Sequence, residues 1–151
     1  MATFSSAQMI NKTKTILVVD DDPENVRNYS EILIDLDFRV IARGDVDSAL
    51  ALLQGDVMID LVITDYRMPG KTGLDFILAL RKLHPRLPVI MITAYGNIET
   101  YLHSISLGAF EYVNKPIKKK EFEQIVHHAL VSNNRKGHPG KDGNEQYSYH
   151  R

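Results

Sequence analysis

The sequence predicts a doubly wound α/β fold, a parallel five-stranded sheet with helices on both faces. Three observations carry this expectation. Five short apolar runs recur along the chain, helix-periodic segments alternate with them, and four of the five runs end in residues able to do chemistry. Strict alternation of strand and helix implies right-handed crossovers, and therefore a parallel sheet covered on both sides.

The runs are Thr15 to Asp20, Phe38 to Ala42, Leu61 to Thr64, Pro88 to Thr93 and Phe110 to Asn114. Each is too short for a helix, and most are rich in Val and Ile. Their unbroken apolar character marks strands buried on both faces. After the first run, Val26, Tyr29, Leu33 and Leu36 recur at helical spacing, as do Val46, Ala49, Leu50 and Leu53 after the second. A third helix is expected over Thr72 to Leu83, ending before His84-Pro85 because a proline disfavours helical geometry in the residue before it. The fourth is expected to turn Ile98, Leu102 and Ile105 inward and to close at Gly108. The fifth carries Phe122, Ile125, Val126, Ala129 and Leu130 on one face.

Composition narrows the function. At 151 residues and 44% hydrophobic content the chain builds one core. A net charge of -1 provides no basic footprint, so direct nucleic-acid binding is not expected. No apolar run approaches the ~20 residues of a membrane span. The opening "MATFSSAQMINKTK" lacks the apolar centre of a signal peptide. With no cysteine there are neither disulfides nor thiolate metal sites, which fits a cytoplasmic protein. The expected organisation is a flexible segment over residues 1–13, one folded domain over 14–132, and a polar, Gly- and Pro-broken tail or linker over 133–151.

In open parallel sheets ligands bind beyond the carboxyl ends of the strands. The first run, "ILVVDDDPENV", ends in Asp20, Asp21 and Asp22; the third ends in Asp65, the fourth in Thr93, the fifth in Lys115. Asp22 precedes Pro23 and suits a helix N-cap. That leaves Asp20 and Asp21, which with Asp65 form an oxygen-rich pocket suited to Mg²⁺ with several retained waters. An aspartate beside a metal is a nucleophile toward phosphorus: Asp65 attacks, Asp20 and Asp21 hold metal, and Lys115 and Thr93 grip the phosphoryl group.

At these residues the chain resembles the CheY-like receiver domain of two-component response regulators. The likeness rests on "VVDDDP", "DYRMPGKTG", "ITAYG" and "GAFEYVNKPI" in that order, and spans about Lys14 to Ser132. The resemblance implies the flavodoxin-like strand order 2-1-3-4-5 and a cis bond at Lys115-Pro116. It assigns Asp65 as phosphoacceptor, Asp20 and Asp21 as the acidic metal pair, the carbonyl of Arg67 as a further Mg²⁺ ligand, and Thr93 and Tyr112 as switch residues. The implied partners are a sensor histidine kinase or phosphotransfer protein upstream, and a downstream protein or second copy of the chain on the face of the fourth helix, fifth strand and fifth helix. On that face Tyr101, Ser104, Lys118, Lys119 and Lys120 are candidate contacts. Arg67 and Tyr95 fall where the family tunes water access to the phosphoryl group.

The expected role is that of a signalling protein and not an enzyme, and the length favours a stand-alone one. A receiver cut from a longer transcriptional regulator or hybrid kinase is the alternative. A phosphohydrolase of the haloacid dehalogenase kind shares the strand-end Asp, but that family places a second acid two residues on, where this chain has Arg67.

Overall fold

The structure, a computed structural model, describes residues 14–136. Five strands alternate with five helices: β1 (Thr15–Val19), α1 (Pro23–Asp35), β2 (Arg39–Arg43), α2 (Val46–Leu53), β3 (Leu61–Thr64), α3 (Gly73–Leu83), β4 (Val89–Thr93), α4 (Ile98–Ser106), β5 (Glu111–Asn114) and α5 (Lys119–Lys136). All four strand pairings are parallel and the order is β2-β1-β3-β4-β5. The doubly wound expectation and the 2-1-3-4-5 order both hold.

Central strands β1, β3 and β4 are buried nearly throughout, whereas edge strand β2 is half-exposed. Because side chains alternate along a strand, the sheet divides the core into two layers. Ile16, Val18, Ile63, Ile90 and Ile92 face α1 and α5, meeting Leu33, Phe122 and Val126. Leu17, Val19, Val62, Val89 and Met91 face the other way, onto Val46, Leu53, Phe76 and Leu80 of α2 and α3. Each such side chain, fully buried, stabilises the fold by about 1.5–3 kcal/mol before entropy is counted.

Four helices start on a side-chain cap. Asp22 accepts from the Glu24 N–H, Asp45 from Ser48, Thr72 from Asp75 and Asn97 from Thr100. Asp22 is thus the cap expected of it. Gly108, at φ +88°, follows the C-cap Leu107 and closes α4 as anticipated. The helix α5 runs through Lys136, beyond Asn133, where the apolar pattern stops. The readings of residues 1–13 and of most of 133–151 lie outside the described residues.

One helix contradicts the sequence reading. Ile98 and Leu102, expected to face the core, are 76% and 59% exposed. Thr100 and Ser104 are buried in their place, with Tyr101 and Ile105 half-buried beside them. Thr100 has a buried hydroxyl partner in Tyr112, and Ser104 donates to the Tyr101 carbonyl at 2.9 Å, so these small polar residues enter the interior satisfied. Ser104 is therefore no surface contact.

Candidate functional site

Strand order decides which chain ends meet. β1 lies between β2 and β3, and the pairing of Val19 with Thr64 brings the residues that follow, Asp20 and Asp65, to adjacent strand ends. Both are almost wholly buried, at 4% and 6% exposed. Lys115, just past β5, reaches across: its ammonium donates to Asp65 Oδ2 at 2.7 Å and to Asp20 Oδ2 at 3.4 Å. The Lys115-Pro116 bond that precedes this turn into α5 is cis.

Other donors complete the two carboxylates. Asp65 Oδ1 accepts from the backbone N–H of Tyr66 at 2.6 Å and of Arg67 at 3.3 Å. Asp20 Oδ1 accepts from the Asp22 N–H at 2.9 Å, and its Oδ2 from the Asn25 amide at 3.3 Å. Burial pushes the Asp20 carboxyl above its ordinary range, the Asp22 N–H and Lys115 pulling against that and Asp65 adding to it. Burial opposes the charge on Lys115, but its hydrogen bond to Asp65 and the charges of Asp20 and Asp65 outweigh this and hold the ammonium above its ordinary value.

These groups open into a cleft of about 590 Å³ lined by Asp20, Asp21, Asp65, Arg67, Tyr95 and Lys115, among others. Asp21 is exposed within it. The guanidinium of Arg67 lies over the Tyr95 ring, 4.1 Å from its centroid, so the two bulky residues form one wall. Thr93 is fully buried and its hydroxyl accepts from the Tyr95 N–H at 3.1 Å. Tyr112 is buried on the far side of β4, bonded to Thr100 at 2.7 Å and edge-on to Tyr101.

Asp20, Asp65 and Lys115 thus meet directly, Asp21 and Arg67 share their cleft, and Thr93 and Tyr112 lie behind it. The three-carboxylate convergence expected of Asp20, Asp21 and Asp65 is looser than foreseen. Among the described residues no group of three or more His, Cys, Asp or Glu is disposed as a metal cage. The Lys115 ammonium holds Asp20 and Asp65, leaving Asp21 outside that contact. The donor set still fits a hard cation, since Mg²⁺ keeps several waters and needs only one or two carboxylates. Two residues escaped the sequence reading: Asn25 and Thr100. Neither stands at a strand end, and only their partners in space mark them.

Residues 16–127 match the family described as response regulator receiver domain. The chain belongs to that family. The receiver is 37% identical over 117 residues to the response regulator protein PilR of Pseudomonas aeruginosa, covering 76% of this chain and 25% of that protein. It is 42% identical over 106 residues to the transcriptional regulatory protein CpxR of Escherichia coli, covering 70% of this chain and 44% of that one. The chain therefore spans less than half the length of these relatives. In structure it resembles a CheY-like receiver domain protein from Methanospirillum hungatei, with a TM-score of 0.79 at 26% identity over 82% of this chain and 98% of the other. Receivers are signalling modules of two-component systems rather than conventional enzymes. Among the described residues no helix is long and apolar enough to cross a membrane.

Proposed function

We propose that this receiver takes a phosphoryl group onto Asp65 from a histidine kinase or phosphotransfer protein, and that the modified form binds its partner through α4, β5 and α5. The carrying observation is the Lys115 ammonium shared by Asp65 and Asp20, at 2.7 and 3.4 Å. A lysine so placed fixes the nucleophile and is at hand for the charge that arrives with the phosphoryl group.

In the transfer, an Asp65 carboxylate oxygen bonds to phosphorus as the bond from phosphorus to the donor's imidazole nitrogen breaks, the imidazole leaving with that electron pair. Backbone N–H groups of Tyr66 and Arg67 hold the other Asp65 oxygen in place. Lys115 passes from the carboxylate to a phosphoryl oxygen. Asp20, Asp21, Asp65 and the Arg67 carbonyl would hold Mg²⁺, which supplies Lewis-acid charge at the phosphoryl oxygens. Thr93 exchanges its bond from the Tyr95 N–H for one to the phosphoryl group, and the shift reaches Tyr112 and α4. Exposed residues there include Ile98, Leu102, Lys118, Lys119 and Lys120, with Tyr101 half-exposed.

Intact-mass spectrometry after incubation with acetyl phosphate and Mg²⁺ tests the reading. One phosphoryl mass is expected on the wild type, and none on Asp65→Asn or in EDTA. Failure of the wild type to take up either phosphoryl or its mimic beryllofluoride would overturn it.

A second reading follows from the coverage of the relatives, of which this chain spans 25% and 44%. In it the receiver is the regulatory segment of a longer transcriptional regulator. The chemistry at Asp65 is identical and only the target of the switch differs; the length of the open reading frame separates the two.

A further inference from the structure

Asn25 sits in the first turn of α1, three residues past its N-cap Asp22. A residue there commonly turns back to the N-cap backbone. Asn25 instead reaches past the cap and donates its amide to Asp20 Oδ2 at 3.3 Å. The same residue lines both the acidic cleft and an adjoining groove of about 240 Å³, and Lys115 is the one other residue to do so. Asn25 and Lys115 together partition the two spaces.

The donors on Asp20 can be counted. A carboxylate has about four lone-pair positions. Three are taken, by the Asp22 N–H on Oδ1 and by Asn25 and Lys115 on Oδ2. Lys115 is the least committed of the three, being 2.7 Å from Asp65 but 3.4 Å from Asp20. A lysine that follows an incoming phosphoryl group leaves Asn25 as the one side chain bracing that oxygen.

We propose that Asn25 is a positioning residue of this site, holding the Asp20 carboxylate so that its remaining lone pair is presented to a divalent cation. The role rests on the reading of Asp20 as a metal ligand given above. Groups that hydrogen-bond metal ligands change metal affinity by about 10–100-fold when removed. A partly exposed amide at 3.3 Å belongs at the lower end of that range.

The test is a Mg²⁺ titration followed by the amide NMR shifts of Asp21, Asp65 and Lys115. It compares wild type, Asn25→Leu, which keeps the volume without the donor, and Asn25→Gln, which keeps the donor. Expected are a dissociation constant about tenfold weaker in Asn25→Leu at unchanged melting temperature, and recovery of most of that loss in Asn25→Gln. With acetyl phosphate, Asn25→Leu should need about tenfold more Mg²⁺ than wild type to reach half of its own maximal rate. Equal affinity in wild type and Asn25→Leu overturns the role, as does a loss that follows melting temperature and is not recovered by Gln. A wild type with no Mg²⁺-dependent shift overturns the metal reading itself, and the positioning role with it.

Discussion

The hydroxyl of Tyr112 lies 2.7 Å from that of Thr100, which ties the tyrosine of β5 to the first turn of α4. The same Thr100 hydroxyl accepts from the Asn97 N–H and donates to the Asn97 carbonyl, so Tyr112 is joined to the capping box that starts the helix. Gly96 makes the room: a Cβ there would stand 2.5 Å from the Tyr112 hydroxyl and collide with the Asn114 side chain. The proposed switch residue and the exposed Ile98 and Leu102 are thereby linked through one hydrogen bond.

Thr100→Val keeps the shape of the side chain but removes that bond together with the two to Asn97, leaving a buried phenol unpaired. The expected cost is about 1–3 kcal/mol in urea unfolding. Tyr112→Phe should cost less, because Thr100 retains Asn97. A Thr100→Val protein as stable as wild type would show that the link carries no free energy.

The convergence of the candidate site was largely legible in the sequence because its residues lie at strand ends, where an apolar run gives way abruptly to Asp20, Asp65, Thr93 or Lys115. The strand count and most of the helices were legible for the same reason, through periodicity. The face of α4 was not. Hydrophobicity assigned Ile98 and Leu102 to the core, but a neighbouring tyrosine hydroxyl made Thr100 the better inward residue, and periodicity does not register a hydrogen bond to another element. Asn25 was missed on the same ground: its partner is five residues away on the far side of a helix cap.

Arg67 lies over Tyr95 at the mouth of the cleft. An exposed cation–π pair stabilises by about 0.5–1 kcal/mol. If the closed wall slows water's approach by that amount, Arg67→Ala shortens the phosphoryl lifetime about two- to fivefold. The time course of adduct loss by intact mass reads this directly. An unchanged or longer lifetime would remove the pair from any role in hydrolysis.

Asp45 caps α2, and its hydrogen bond from the Ser48 N–H holds the carboxyl below the ordinary 3.8. The fold prefers the ionised form. Its stabilisation is complete above the unfolded value and disappears as pH falls through the lower folded one. Asp45→Asn should therefore melt below wild type at neutral pH, with the gap closing as pH drops beneath 3.8. A gap independent of pH would assign the effect to the cap's shape instead of its charge.

Arg81 clamps the segments that lead into β4 and β5, at the end of the strands away from the cleft. Its guanidinium donates to the carbonyls of His84, Pro85, Leu87, Leu107 and Gly108. Arg81→Lys keeps the charge but loses the planar fork. It is expected to destabilise by about 2 kcal/mol in chemical denaturation, and Arg81→Ala by more. Equal stability of all three proteins would refute the clamp.

That clamp gives α4 a mechanical character. Leu107 and Gly108, at its C-terminal end, are pinned to α3, while its N-terminal end rests on Tyr112 and a hydrogen-bonded cap. A helix of nine residues is about 13 Å long, so a tilt of about 10° about the pinned end carries the other end about 2 Å. A helix held in this way would move as a lever with its fulcrum at Arg81, and the side chains with the longest travel would be Asn97 and Ile98, at the end beside the cleft.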